Sequence, residues 1–93
     1  MKNFMVTHTL KSDEAMEAYF AAMETMSEAD IRGAMKNEKA SFQMQWNAGK
    51  NDKIMFCWWK AKSPEAILET LGEMGSLFDN DIREMPNVLD FTD

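Results

Sequence analysis

The run "IMFCWWKA", residues 54–61, constrains the fold of this chain most. Its first six residues are all apolar, so no polar face is visible before Lys60. An extended strand points alternate side chains to opposite faces, and here both faces are apolar. One face carries Ile54, Phe56 and Trp58, and the other carries Met55, Cys57 and Trp59. A strand with two apolar faces is covered on both sides, which predicts a central place in its sheet.

Three further segments have the pattern of strands. Residues 4–10 alternate imperfectly, with Phe4, Val6, His8 and Leu10 on one face. Residues 41–48 alternate cleanly, with Phe42, Met44, Trp46 and Ala48 opposite four polar residues. The turn residues "GKND" at 49–52 predict a hairpin between this strand and residues 54–61. Residues 82–89 are the predicted last strand, and Pro86 places it at a sheet edge because proline donates no hydrogen bond.

Helix signals separate these strands. Ser12 is a predicted N-cap, followed by an apolar stripe at helical spacing: Met16, Tyr19, Phe20 and Met23. "SEAD" at 27–30 predicts a second cap and a short helix. Ser63 and Pro64 begin a third helix, and Gly75 is its predicted end.

The element order β-α-(α)-β-β-α-β predicts a single α+β domain over residues 1–93. With right-handed crossovers it is the ferredoxin-like βαββαβ sandwich, a four-stranded antiparallel sheet in order 4-1-3-2 with helices on one face. The other face is bare, yet the third strand is apolar on both sides. A second copy is the simplest cover, so we expect a homodimer of the dimeric α+β barrel kind.

Charge and cysteine content narrow the partners. The net charge of −6 opposes binding to nucleic acid or to an anionic membrane. One cysteine allows no internal disulfide. The N-terminus has no signal-peptide pattern, and no segment approaches the roughly 20 apolar residues of a membrane span. We therefore expect a cytoplasmic protein.

Two residues that are unique in the chain suggest a metal site. His8 and Cys57 lie on the first and third strands, which we expect to be parallel neighbours. Imidazole and thiolate are ligands for zinc, nickel or copper, with acidic residues or methionine completing the set. The alternative is that His8 is a hydrogen-bonded structural residue and Cys57 a small core residue. A Cys57–His8 nucleophilic dyad is disfavoured because a buried thiol ionises poorly.

The segment "FCWWKAKSPEAILE" resembles a family of small, mostly uncharacterised ferredoxin-like proteins. The resemblance rests on Phe56-Cys57, on Ala61 and on Ser63–Ile67, with "DIREM" at 81–85 similar to the start of the family's last strand. It implies a dimer, and one relative implies nickel binding, with Cys57 as a candidate ligand. The run Trp58-Trp59-Lys60 departs from the family pattern.

Three functions are compatible with these patterns. The first is a non-enzymatic homodimer that binds a small ligand or a transition metal cofactor, nickel or zinc, at the sheet face. Its ligand-binding residues would be Trp46, Phe56, Trp58 and Trp59, and its metal ligands His8 and Cys57. The second is a cofactor-independent monooxygenase or isomerase-like enzyme with His8 as general base. A His8 that points into a cavity of several hundred Å³ favours the enzyme, and one that points under the helices counts against it. The third is a pure protein-interaction module, whose bare face would be only a dimer interface.

Overall fold

The chain forms four strands and three α-helices in the computed structural model, which describes residues 1–93. Their order and bounds are β1 (Lys2–Leu10), α1 (Asp13–Glu24), α2 (Glu28–Ala34), β2 (Ala40–Asn47), β3 (Ile54–Ala61), α3 (Pro64–Leu71) and β4 (Phe78–Glu84). A 3₁₀ helix over Gly72–Leu77 connects α3 to β4. No helix is long and apolar enough to cross a membrane.

The strands form one sheet in the order β2-β3-β1-β4, and all three neighbouring pairs are antiparallel. This topology confirms the predicted ferredoxin-like fold. β3 has a partner on each side, as its two apolar faces predicted. The expected parallel arrangement of the first and third strands is wrong, because β1 pairs with β3 antiparallel and His8 is opposite Met55. Cys57 is opposite Val6, two residues along β1 from His8.

The core lies between the helices and one face of the sheet. β3 contributes Met55, Cys57 and Trp59, which are fully buried, and α3 contributes Ile67 and Leu71. Side chains of β1 that point to this face are also buried, whereas those pointing to the other face are only half-buried. The helix α2 has no buried residue. It is therefore the least anchored of the three helices.

Serine caps begin all three helices, as the sequence predicted. The hydroxyls of Ser12 and Ser63 accept hydrogen bonds from the backbone N–H three residues ahead. At α2, Ser27 and Asp30 form a complete capping box, in which each side chain accepts a hydrogen bond from the other residue's backbone N–H. These caps satisfy N–H groups that the first turn of a helix leaves unpaired.

The C-terminal part of the chain departs from the prediction. α3 ends at Leu71 and is capped by Gly72, whose φ of 57° favours glycine, and the predicted end Gly75 lies inside the 3₁₀ helix. The last strand is Phe78–Glu84 and not residues 82–89, so Pro86 falls beyond it. The 3₁₀ helix positions Phe78 to be buried opposite Leu10, and this burial sets the register of β4.

A β-bulge interrupts the alternation of β2. Phe42 is opposite Trp59 and Met44 is opposite Trp58, so Gln43 is the extra residue. Phe42 consequently packs edge-on against Trp59 on the helix-covered face. Beyond the bulge, Met44 and Trp46 lie on the face of the sheet that the helices do not cover, which we call the open face. Gln45 points to the helix-covered face. The prediction that one face of this strand is wholly apolar is therefore wrong.

Candidate functional site

The open face of the sheet carries an apolar cluster on β2 and β3. We call it the aromatic face, and its residues are Met44, Trp46, Ile54, Phe56 and Trp58. The first four are each between 42% and 50% exposed. Trp46 is directly opposite Phe56 across the two strands, and Met44 is opposite Trp58. Neighbouring cross-strand pairs of this kind make one continuous surface and not scattered apolar residues.

Polar neighbours hold Trp58 within this surface. Its indole Nε1 donates a hydrogen bond to Asn3 Oδ1 at 3.0 Å, from the adjacent strand β1. The ammonium of Lys60 lies 5.8 Å from the centre of the Trp58 ring, on the same side of β3. Both contacts restrict the ring, so the centre of the sheet presents a fixed aromatic side chain.

The charged residues of the open face balance one another. Asp79, Asp81 and Arg83 alternate with core-facing residues of β4 and therefore point to the open side with Lys60. Arg83 pairs with Asp81 at 3.2 Å. These two cations and two anions cancel, so Asp52 at the hairpin leaves this face with one net negative charge, whereas the whole chain has a net charge of −6.

A groove lies at the hairpin end of the aromatic face. It has a volume of about 270 Å³, and it is open to solvent. Its lining residues are Trp46, Asn47, Ala48, Asp52, Ile54 and Phe56. The groove combines two aromatic rings with one carboxylate and one amide, which suits a small, flat molecule.

A second candidate site lies on the opposite side of the sheet, beneath α1 and α2. We call it the helix-covered cavity; its volume is about 40 Å³. Its floor on the sheet includes His8, Phe42, Gln45, Cys57 and Trp59. Its roof consists of Met23, Met26, Ile31 and Met35, and Tyr19, Leu71 and Phe78 complete the wall.

His8, on the floor of the cavity, is almost completely buried, at 2% exposed. Its Nδ1 lies 2.6 Å from Asn80 Oδ1, and Asn80 Nδ2 in turn donates to the carbonyl of Gly75. That second bond orients the amide, so Nδ1 carries the proton and Nε2 is the acceptor. Burial lowers the pKa of His8, and the hydrogen bond to Asn80 opposes this only in part. The imidazole is thus held neutral in one tautomer.

Cys57 is equally buried and unreactive. Burial raises the pKa of its thiol to about 12, although hydrogen bonding to Gln45 acts in the opposite direction. Gln45 Nε2 also donates to the hydroxyl of Tyr19 at 3.2 Å. The thiol is consequently protonated at neutral pH, and the thiolate is the form that attacks substrates and binds metals.

These residues do not fit a nickel or zinc ion. His8 and Cys57 line the same cavity, but no third His, Cys, Asp or Glu joins them in a group that could hold a metal. A structural zinc site has four ligands and a catalytic one has three. The nickel binding implied by the family resemblance therefore gains no support from this donor set.

The sheet divides the residues predicted to bind ligands. Trp46, Phe56 and Trp58 lie together on the aromatic face. Trp59 lies on the opposite side with His8 and Cys57, so the six residues form two sites. Met44 and Ile54 were not among the predicted ligand-binding residues, although strand alternation already placed Ile54 on the same face as Phe56. Tyr19 and Gln45 were also missed, and only the bulge in β2 brings Gln45 to Tyr19.

The geometry of His8 counts against the enzyme hypothesis. The ring points under the helices, and the cavity of about 40 Å³ is far smaller than the several hundred Å³ that a substrate of an aromatic monooxygenase needs. The only oriented base of the chain is therefore closed off from the open face.

Comparison with known proteins assigns no family. No protein-family model and no curated protein matches this chain. Two solved structures, each described as a dimeric ferredoxin-like protein from an uncultured marine organism, resemble it over nearly its full length. One is 15% identical with a TM-score of 0.44, covering 97% of this chain and 99% of that chain. The other is 16% identical with a TM-score of 0.43, covering 98% and 97%.

Proposed function

We propose that this protein is a homodimeric binding protein whose subunits pair through their aromatic faces and hold a small, flat apolar ligand between the sheets. The aromatic face is the observation that carries the proposal. If each of the four half-exposed residues, two of them aromatic, is counted at the roughly 150–250 Å² of an aromatic side chain, they leave at most roughly 400 Å² uncovered per subunit. That is about half of the ~800 Å² that each partner contributes to a stable interface.

The charge distribution favours a second copy as the partner. A chain with a net charge of −6 repels its own kind wherever acidic surfaces meet. The strands of the open face are neutral, because Lys60 and Arg83 offset Asp79 and Asp81, and only Asp52 at the hairpin adds a negative charge. Two copies that meet on this face keep their excess negative charge pointing outward. A two-fold axis then requires the same patch on both subunits, which a flat and continuous aromatic face provides.

The groove beside Trp46 and Phe56 is the place for the ligand. Its volume of about 270 Å³ is close to the lower end of the ~300–1,000 Å³ typical of ligand sites. A second subunit laid over it would roof the groove and remove the ligand from water. We also propose that the protein acts in the cytoplasm, because its single cysteine is a reduced, buried core residue.

A pair of matched variants tests the dimer. Phe56→Glu puts a charge at the centre of the aromatic face. Leu68→Glu puts the same charge on the outer side of α3, away from that face. The two residues are 50% and 44% exposed, so neither change disturbs a buried site. Sedimentation equilibrium should give a dimer for the wild type and for Leu68→Glu, and a monomer for Phe56→Glu. A wild-type monomer at 100 µM, or a dimeric Phe56→Glu, would refute the proposal.

Ligand binding between the sheets has its own readout. Nile red is an uncharged, flat apolar dye whose fluorescence rises when it leaves water. The wild-type dimer should enhance its emission, and Trp46→Ala, which removes one wall of the groove, should reduce the enhancement. If the dimer forms but gives no enhancement, the interface is filled, and the protein is an interaction module without a ligand.

A further inference from the structure

We propose that the helix-covered cavity is a second binding site, for a small, uncharged and mostly apolar molecule that carries one carbonyl or hydroxyl oxygen. The site is separate from the groove of the aromatic face, since the sheet lies between them. It rests on the chemistry of the cavity wall, on one buried donor without a partner and on the composition of the roof.

The wall selects against charge. Ten of the twelve residues that line the cavity are hydrophobic, and none is Asp, Glu, Lys or Arg. Moving an ion into such surroundings without an opposite charge costs far more than a small ligand gains by burial. The ligand is therefore neutral.

Three polar groups among the residues that line the cavity have hydrogen-bonding capacity left. Trp59 Nε1 is a buried donor that has no hydrogen-bond partner among the atoms of the protein. The hydroxyl of Tyr19 accepts from Gln45, which leaves its own proton to donate. His8 Nδ1 is engaged with Asn80, which leaves Nε2 as an acceptor. Two donors and one acceptor suit a carbonyl oxygen or a hydroxyl group.

The unpartnered Trp59 N–H is the strongest of these signs. A buried donor without a partner costs about 1–3 kcal/mol, and native proteins contain few of them. An oxygen atom of a ligand at this ring would remove that cost. The ligand thus stabilises the folded protein through a group that otherwise weakens it.

The roof explains how a molecule larger than the present cavity can enter. A volume of about 40 Å³ holds roughly three or four water molecules at the ~10–15 Å³ that each requires. Met23, Met26 and Met35 are all partly exposed, and α2 has no buried residue to fix its position. Methionine side chains adapt easily to a new shape. Repacking of this roof therefore enlarges the cavity without disturbing the sheet.

Cyclohexanone and its hydrocarbon analogue methylenecyclohexane form a matched pair of probes. The chain has three tryptophans, so a ¹H–¹⁵N spectrum contains three indole N–H signals that single Trp→Phe variants assign. Cyclohexanone should shift the Trp59 signal downfield, and the hydrocarbon should not. The signals of Trp46 and Trp58 report binding on the aromatic face and serve as internal controls.

Three variants complete the test. Trp59→Phe should weaken cyclohexanone binding about fivefold, the effect of one hydrogen bond, and leave hydrocarbon binding within about twofold. Tyr19→Phe should weaken cyclohexanone binding to a similar extent and leave hydrocarbon binding unchanged. If Trp59→Phe does not fold, Tyr19→Phe replaces it as the test variant. Met26→Trp should fill the roof and abolish binding of both probes. The proposal is overturned if neither probe binds near Trp59, or if the Trp46 and Trp58 signals move instead.

Discussion

The buried His8 predicts that stability depends on pH in a range where few other groups titrate. It is the only histidine of the chain, and it is 2% exposed. Burial lowers its pKa in the folded protein below the unfolded value of about 6.5. Between these two pKa values the unfolded chain binds a proton that the folded protein does not. The free energy of unfolding therefore falls as the pH drops below about 6.5.

The magnitude follows from a single proton. One proton changes the free energy of unfolding by at most about 1.4 kcal/mol per pH unit. Between pH 6.5 and 5.5 the unfolded histidine goes from half to almost fully protonated, so the loss is at most about 1 kcal/mol, the limit in which the folded protein binds no proton in this range. Lowered pKa values at the exposed Asp13, Glu24 and Asp90 act in a different range. Their contribution is lost only as the pH falls through carboxylate values, about 4 and below.

Urea denaturation at pH 7.5, 6.5 and 5.5 measures this effect, at one fixed protein concentration because the proposed dimer would unfold in a concentration-dependent way. The matched variant is His8→Gln, whose side chain does not titrate and still offers an amide to Asn80. The wild type should lose up to about 1 kcal/mol between pH 6.5 and 5.5, and His8→Gln should lose almost none. Equal pH dependence in both proteins, or a wild type insensitive to pH, would show that His8 is not held neutral by burial.

Three other outcomes follow from the same geometry. Gly72→Ala should lower the free energy of unfolding by about 1–3 kcal/mol, because φ at this position is 57°. Gly33→Ala, at an open helical position, should raise it by up to about 1 kcal/mol. Thermal melts of the two variants check both signs. Cys57 should react with iodoacetamide at pH 8 about a thousandfold more slowly than a free thiol, because its pKa is about 12 against 9, and urea should restore the normal rate. Nickel and zinc should bind the wild type and a His8→Gln/Cys57→Ser variant equally weakly in calorimetric titrations; a stoichiometric site lost in the variant would restore the metal hypothesis.

Strand and helix patterns were enough to predict the fold. The two apolar faces of β3 placed that strand inside the sheet, and serine caps located the start of each helix. These signals are local and strong, because they depend on neighbouring residues alone. The end of α3 and the start of β4 depend on distant contacts. Phe78 becomes part of the core only when it meets Leu10, and residues 82–89 contain no sign of that contact.

The sites were less predictable than the fold. Alternation assigned Trp58 and Trp59 to opposite faces, but it did not say which face the helices cover. The bulge at Gln43 exchanges the faces of β2, and no turn or glycine in "SFQMQWNA" marks it. Without it Gln45 would lie on the open face, away from Tyr19. The helix-covered cavity depends on this one extra residue and was therefore invisible in the sequence.

The same bulge has a consequence for how these molecules avoid growing into fibres. β2 and β4 are the two edges of the sheet, where unpaired backbone groups invite further strands to add. The bulge makes the β2 edge irregular. The charged side chains of Asp79, Asp81 and Arg83 disfavour the addition of a strand at the β4 edge. A protein with an exposed, strongly apolar sheet face is at particular risk of such growth. With both edges blocked, stacking of faces is the route left for self-association, and the dimer proposed above closes after two copies.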